Sequence, residues 1–176
     1  NLVLGRWLGP AAFADLSLIV TLMLMVTFVT ATFQLTTAKF AAAYSAENNP
    51  KAIVAMRDWL GRFAWGGGIL VMLIIAGGAP FWRDFFNTAS AWPFALLGVG
   101  IPVYFAQGVD RGILQGQTRF GLLAYSYLAE MLVRLGVGLG LVALGLSVIG
   151  ATLGITLSFV GTWIIARTGV VGMPKA

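Results

Sequence analysis

Histidine and cysteine are both missing from the 176 residues, and the acids number only six: Asp15, Glu47, Asp58, Asp84, Asp110 and Glu130. Without imidazole or thiolate the chain cannot build a zinc site of the usual kind, ligate haem through His or Cys, form a disulfide or complete a Ser-His-Asp triad. The lack of cysteine carries no information about compartment, because a buried span needs none. Charge of either sign is scarce, 10% of residues against roughly 25% in a soluble domain. In its place stands apolar length, with 59% hydrophobic residues and a mean hydropathy of +0.91.

Four stretches carry no charged residue at all: Leu16 to Ala38, Phe63 to Trp82, Phe85 to Val109 and Leu135 to Ala166. Each reaches the ~18 to 20 residues that a helix needs to cross the hydrocarbon of a bilayer. The fold expected is therefore all-α, a polytopic transmembrane helical bundle. The last stretch is too long for one ordinary span, and Gly145-Leu146-Ser147-Val148-Ile149-Gly150 offers a corner within it. Five spans follow, at 16–38, 63–80, 92–109, 120–144 and 148–166. The first is expected to continue as helix to Ala46, where Glu47-Asn48-Asn49-Pro50 supplies a stop. Pro93 suits a first helical turn, and Pro102 is expected to kink the third span. Lys51 to Arg62 reads as an amphipathic interfacial helix with Ala52, Ile53, Met56 and Leu60 on one face, and Phe81 to Trp92 as a short aromatic segment at the other surface.

Orientation follows from where the basic residues fall. Lys39, Lys51, Arg57, Arg62, Arg111, Arg119, Arg167 and Lys175 share one side of this topology, Arg6 and Arg83 lie on the other, and Arg134 lies within a span. The positive-inside rule places the first group in the cytoplasm. The net charge of +5 and the pI near 10.1 are thus a topogenic signal with anionic lipid headgroups as partners, not a nucleic-acid footprint. Trp7, Trp82 and Trp92 then fall at the outer boundary and Trp59, Trp65 and Trp163 near the inner one, as an interfacial belt does. Residues 1 to 15 come to lie outside with no initiator Met ahead of them. Asn1-Leu2-Val3-Leu4 reads as the last turn of a preceding span, and a cleaved signal peptide is the alternative. Residues 1–176 are expected to be a single bundle, an incomplete part of a larger transporter.

Glycine recurs every fourth residue in Gly108, Gly112 and Gly116, in Gly136 and Gly140, and in Gly150 and Gly154, a spacing that lets helices approach closely in lipid. Gly66-Gly67-Gly68 is not followed by Lys-Ser/Thr and is no phosphate loop. In the first span Thr27, Thr30, Gln34 and Thr37 fall on one helical stripe. Such a stripe lines a polar cavity or bonds a neighbouring helix. A second face in the third span joins Gly100, Tyr104, Gln107 and Arg111, and Asp110-Arg111 reads as a solvated or snorkelling pair at the boundary. Glu130 and Arg134 stand at i and i+4 midway along the fourth span, in the favourable order for a helical pair. Ionisable groups at that depth cost roughly 2.5 to 3.5 kcal/mol on insertion scales, so they turn towards the bundle or a watery cavity, as a structural pair or a functional one.

Three segments resemble one family. Gly5-Arg6-Trp7-Leu8-Gly9-Pro10-Ala11-Ala12-Phe13 resembles the Ala-Arg-x-Leu-Gly-Pro-x-x-Phe-Gly segment between the first two spans of polysaccharide flippases. Arg111 to Phe120 is similar to their short cytoplasmic turn before the fifth span, and Val148-Ile149-Gly150-Ala151 to the Gly-Val-x-Gly-Ala opening of the sixth. The family is that of the lipid-linked oligosaccharide flippases, within the multidrug, oligosaccharidyl-lipid and polysaccharide exporters, with roughly twelve to fourteen spans in two bundles. The resemblance implies that this chain is most of the first bundle, the N-terminal half, in the cytoplasmic membrane of a bacterium. It implies a flippase that moves an isoprenoid-pyrophosphate-linked oligosaccharide outward by alternating access for cell-surface polysaccharide synthesis, with the missing C-terminal half as partner. Thr27, Thr30, Gln34, Thr37, Gln107, Glu130 and Arg134 are then the cavity-lining or substrate-binding candidates, and no cofactor or metal is implied. Two other readings stay open: a cation-coupled multidrug exporter with Glu130 as coupling carboxylate, and a non-transporting structural membrane protein. An enzyme is not expected, because a single intramembrane carboxylate without His or Cys completes no catalytic constellation.

Overall fold

The computed structural model describes the backbone of residues 2–171 and the side chains of residues 6–170. The Asn1 to Leu4 segment, expected to close a preceding span, lies outside the described residues in its first residue and its side chains, and so does Lys175. All regular elements among the described residues are helical: α1 (Leu2–Ala46), α2 (Pro50–Ile75), α3 (Ala79–Phe86), α4 (Trp92–Gly116), α5 (Phe120–Leu141), a π-helical turn (Val142–Leu146) and α6 (Ser147–Val171). Four segments are long and apolar enough to cross a membrane: Arg6–Ala46, Pro50–Ile75, Trp92–Gly116 and Phe120–Val170. Large apolar side chains, among them Leu24, Phe28, Leu70, Leu73, Leu132 and Leu135, stand exposed around the bundle. A water-soluble protein does not tolerate such a belt, and the protein is a helical membrane protein.

The chain breaks where local chemistry asks for it. Gly9 leaves helical space at φ 76 and ψ 168, and Pro10 restarts the helix with a φ already fixed for a first turn. α1 ends at Ala46, Asn48 takes a positive φ of 52, and the Asn49 side chain caps α2 by accepting from the Ala52 N–H at 3.1 Å. After α5 the chain reverses through the π-turn, where Gly145 has φ 89 and Ser147 φ 46. α5 and α6 consequently run antiparallel: a methyl placed on Gly154 would lie 2.6 Å from the Gly138 Cα, and one on Gly169 2.9 Å from Leu122.

Several expected boundaries move. Lys51 to Arg62 is no separate interfacial helix. It continues into the apolar run, because nothing between Arg62 and Phe63 breaks the helix, and the break falls instead at Gly77-Gly78 before Pro80 opens α3. Its expected apolar face does turn inward, with Ile53 and Leu60 buried. The helix expected at 92–109 runs on to Gly116 and carries Asp110 and Arg111 within it. α5 gives way at Val142 to the π-turn, ahead of the expected 144, and α6 outlasts 166.

α4 is the axis of the bundle, with α1, α2 and α6 packed around it and α5 packed on α6. Phe94, Leu97, Ile101 and Phe105 of α4 join Ile19, Leu60, Ala64 and Phe159 in the main core. α1 lies parallel to α4 in steps of four residues. Methyls on Gly108, Gly112 and Gly116 would fall 2.8 Å from Thr30 Cγ2, 2.5 Å from Gln34 O and 2.5 Å from Ala38 O. These glycines exist for backbone contact. Gly136 and Gly140, expected to pack in the same way, have nothing within 4 Å of such a methyl.

One end of the bundle gathers the start of α1, the α3 region and the π-turn. Asp15 Oδ2 accepts from Ala89 N–H at 3.1 Å, and Leu8, Ser90 and Leu146 border one cavity. The opposite end gathers the other connections, with Arg57 on Asp110 and Arg119 Nη1 donating to Gly169 O. Among the described residues, the two ends hold the same groups that the basic-residue count separates. Because α1 does not pack along α5, nor α2 along α6, α4 is left with a cleft on each side.

Candidate functional site

The first cleft lies between α1, α4 and α5. α1 presents Thr27, Thr30 and Gln34 to it, α4 presents Tyr104 and Arg111, and α5 presents Tyr127, Glu130 and Arg134; its volume is about 300 Å³.

At its floor two guanidinium groups share one carboxylate. Arg111 Nη2 donates to Glu130 Oε2 at 2.8 Å, and Arg134 Nη2 donates to Glu130 Oε1 at 2.5 Å. Arg111 is 3% exposed and Glu130 9%. Two charges this enclosed persist only if every polar atom is met, since desolvation would otherwise outweigh their attraction. Arg111 satisfies that demand in full. Its Nε donates to Ser126 Oγ at 3.0 Å, and its plane lies over the Tyr127 ring with Cζ 3.9 Å from the centroid. Its Nη1 reaches the Gln107 oxygen at 2.8 Å in the amide orientation that also lets Gln107 donate to Phe159 O at 3.1 Å. Arg134 is different. Its side chain is 30% exposed, and its buried Nε has no hydrogen-bond partner among the described residues.

The walls are hydroxyls and amides. Thr27 Oγ1 lies 2.9 Å from Tyr104 Oη, and Gln34 Nε2 donates to Gln115 Oε1 at 2.9 Å and to Tyr127 Oη at 3.1 Å. Gln34 is the tie between α1 and α5 across the mouth. The rest of the α1 stripe turns to α4: Thr30, at the edge of the cleft, bonds Val26 O and packs on Gly108, and Thr37 bonds Phe33 O, fully buried against Gly112.

Of the residues singled out from sequence, Thr27, Thr30, Gln34, Glu130 and Arg134 come together around this cleft. Thr37 is sealed in the α1–α4 contact, and Gln107 stands behind Arg111 without lining the cleft. The Glu130–Arg134 spacing gives a direct pair. The reading of Asp110-Arg111 as a solvated boundary pair is overturned, because both are buried and each is paired across a helix interface. Ser126 and Tyr127 are the members of the network that sequence reasoning left out, and Arg111 was read as a boundary residue and not as part of the site. Their signal was present: Ser126, Tyr127, Glu130 and Arg134 stand at i, i+1, i+4 and i+8 on one helix, and Arg111 already shared a face with Tyr104 and Gln107.

What these groups define is a membrane protein with a cationic, hydrogen-bonding cleft inside its helical bundle, whose charge and donors suit an anionic polar ligand. No group of three or more His, Cys, Asp or Glu residues that could hold a metal occurs among the described residues. No family model, curated protein or solved structure matches the chain.

Proposed function

We propose that the protein is a transporter of a lipid-linked oligosaccharide, moving its pyrophosphate and sugar headgroup through the bilayer by alternating access. The observation that carries the reading is Arg134: with Arg111 it leaves one positive charge in excess of Glu130, its side chain is partly open to the cleft, and its buried Nε is met by no described residue. A guanidinium in a cavity of low dielectric binds phosphate oxygens bidentately, and Thr27, Gln34, Tyr104 and Tyr127 supply the hydrogen bonds a sugar needs. The isoprenoid tail remains in lipid beside the open α1–α5 side. Resemblance to the polysaccharide flippases in the three segments named above supports the same reading, with the chain as their N-terminal half and the C-terminal half as its partner.

In this reading the reversal at Gly145 divides the Phe120–Val170 segment into two crossings and makes five in all. The basic end faces the cytoplasm of a bacterium, and the membrane is its inner membrane. A cation-coupled exporter that uses Glu130 is less well supported, since both carboxylate oxygens are taken by arginines. The test is a liposome assay in which an isoprenoid-pyrophosphate-linked oligosaccharide with a fluorescent sugar is quenched from outside. The protein with its complementary half should move the probe, and Arg134→Gln should abolish movement at near-normal protein levels. Wild-type rates in a correctly folded Arg134→Gln protein would remove the proposal.

A further inference from the structure

On the opposite side of α4 a second cleft opens between α2, α4 and α6 at the basic end, with a volume of about 460 Å³. Its inner wall is the Arg57–Asp110 pair at 3.1 Å, with the Trp163 indole beside Asp110 but short of hydrogen-bond geometry. Its rim carries Arg62 and Arg167, both exposed, and Asp58. Neither rim arginine meets a carboxylate among the described residues; Arg167 instead lies over Trp163, Cζ 4.9 Å from the ring centroid. Trp65 and Trp163 stand edge to face across the cleft at 6.2 Å. Counting Arg57, Arg62 and Arg167 against Asp58 and Asp110 leaves one positive charge, and the two guanidiniums that supply it are unpaired.

We propose that this cleft binds a phosphate group, that of an anionic lipid headgroup, with Arg62 and Arg167 as its ligands and the two tryptophans as the walls beside the glycerol. Three observations favour a lipid over free phosphate. The cleft lies near the end of the bundle, where headgroups sit. Phe63 and Ile164, each next in sequence to a cleft residue, present exposed apolar surface on which acyl chains can lie. Tryptophan at that depth is itself a headgroup-level residue. The Arg57–Asp110 pair keeps the inner wall neutral, so attraction for an anion is concentrated at the rim. The proposal is independent of any transport activity, since it uses none of the residues of the first cleft.

The test extracts the full chain from mixed phosphatidylcholine and phosphatidylglycerol vesicles into mild detergent and counts the retained lipid by native mass spectrometry. Phosphatidylglycerol should be retained in preference to phosphatidylcholine. Retention should fall about fivefold for each arginine removed in Arg62→Gln and Arg167→Gln, the effect of one basic residue at a lipid surface. Both side chains are exposed, so the double variant should melt as the wild type does. Lys39→Gln with Lys51→Gln, at the same end but outside the cleft, should leave retention unchanged. Unaltered retention in the arginine double variant, or an equal loss in the lysine double variant, overturns the site. Complete displacement of phosphatidylglycerol by inorganic phosphate overturns its assignment to a lipid.

Discussion

Asp110 and Arg111 are neighbours in sequence and point into opposite clefts of the same helix. On the α5 side Arg111 is held by Ser126, Glu130, Gln107 and Tyr127, and it is almost completely removed from solvent. On the α2 side Asp110 has one ion-pair partner, Arg57, whose side chain is 19% exposed, and the arginines beyond it are unpaired. The contrast follows from what each face of α4 packs against, since adjacent residues differ in height by only about 1.5 Å. The Arg111 side is met by α5, which supplies Ser126, Tyr127 and Glu130. The Asp110 side opens on the second cleft, where Arg62 and Arg167 are exposed and meet no carboxylate among the described residues. A charge with every hydrogen bond filled is architecture; one with donors to spare can take a ligand. Arg111 belongs to the first kind, and Arg134, Arg62 and Arg167 to the second.

The largest effect should come from breaking the closed side. Arg111→Met leaves Glu130 with Arg134 alone, strips one carboxylate oxygen and the Gln107 oxygen of their donor, and leaves Ser126 only its bond to Leu123 O. Each buried polar group so stranded costs about 1 to 3 kcal/mol, more for a charged one. Thermal unfolding of the purified protein in detergent should drop steeply, with poor accumulation in the membrane. Arg134→Gln, which leaves Glu130 paired with Arg111, should cost far less. Equal melting temperatures for these two variants would erase the distinction between a structural and an available arginine.

The next effect tests the α1–α4 contact behind the first cleft. Gly112→Val would push a branched side chain into Gln34 O and Thr37 Cβ, at 2.5 and 2.6 Å from its own Cβ, and force α1 away from α4. Overpacking of this kind costs about 1 to 3 kcal/mol. Because Gln34 rides on the displaced helix, a cysteine pair at Gln34 and Tyr127 should crosslink more slowly in the Gly112→Val protein. An unchanged crosslinking rate would mean that α1 is not held by this contact. On the open side Asp110→Asn should have a smaller effect, about 1 to 2 kcal/mol, since Arg57 can turn to water. A loss as large as that of Arg111→Met would show that the second cleft is as closed as the first.

What could be read in the sequence follows the same division. Apolar length specified the helices, and Glu47-Asn48-Asn49-Pro50 and the Gly145 corner marked real breaks, because each is a local backbone preference; the break at Gly9-Pro10 was not anticipated. The i, i+4 spacing gave the Glu130–Arg134 pair for the same reason. Lys51 to Arg62 and Asp110-Arg111 misled because a charge was taken as the end of a buried helix, whereas partners on other helices hold these charges in place. Such partners are remote: Arg57 is 53 residues from Asp110, and Glu130 19 from Arg111. No periodicity within one helix reveals them. The Gly108 and Gly136 sets had identical spacing and different fates, since only the facing helix decides whether a missing Cβ is used.

That last difference gives the smallest and most discriminating prediction. Gly136 lies in the interior of α5 and has nothing within 4 Å of the place where a Cβ would stand. In that setting alanine stabilises a helix by roughly 0.5 to 1 kcal/mol relative to glycine, through the entropy of the unfolded chain. Gly136→Ala should raise the unfolding midpoint slightly, whereas Gly112→Ala, with no space for its methyl, should lower it. On the transporter reading proposed above, the sign can change when the proposed complementary half is co-expressed. If the Gly136 face of α5 looks into lipid in the assembled protein, the gain persists there. If a helix of the partner docks on Gly136 and Gly140 as α1 docks on Gly108 and Gly112, the small gain turns into a loss of association between the halves. Co-purification of the two halves with and without Gly136→Ala reads that sign directly, and with it whether this second glycine set is a contact surface or a lipid-facing side of α5.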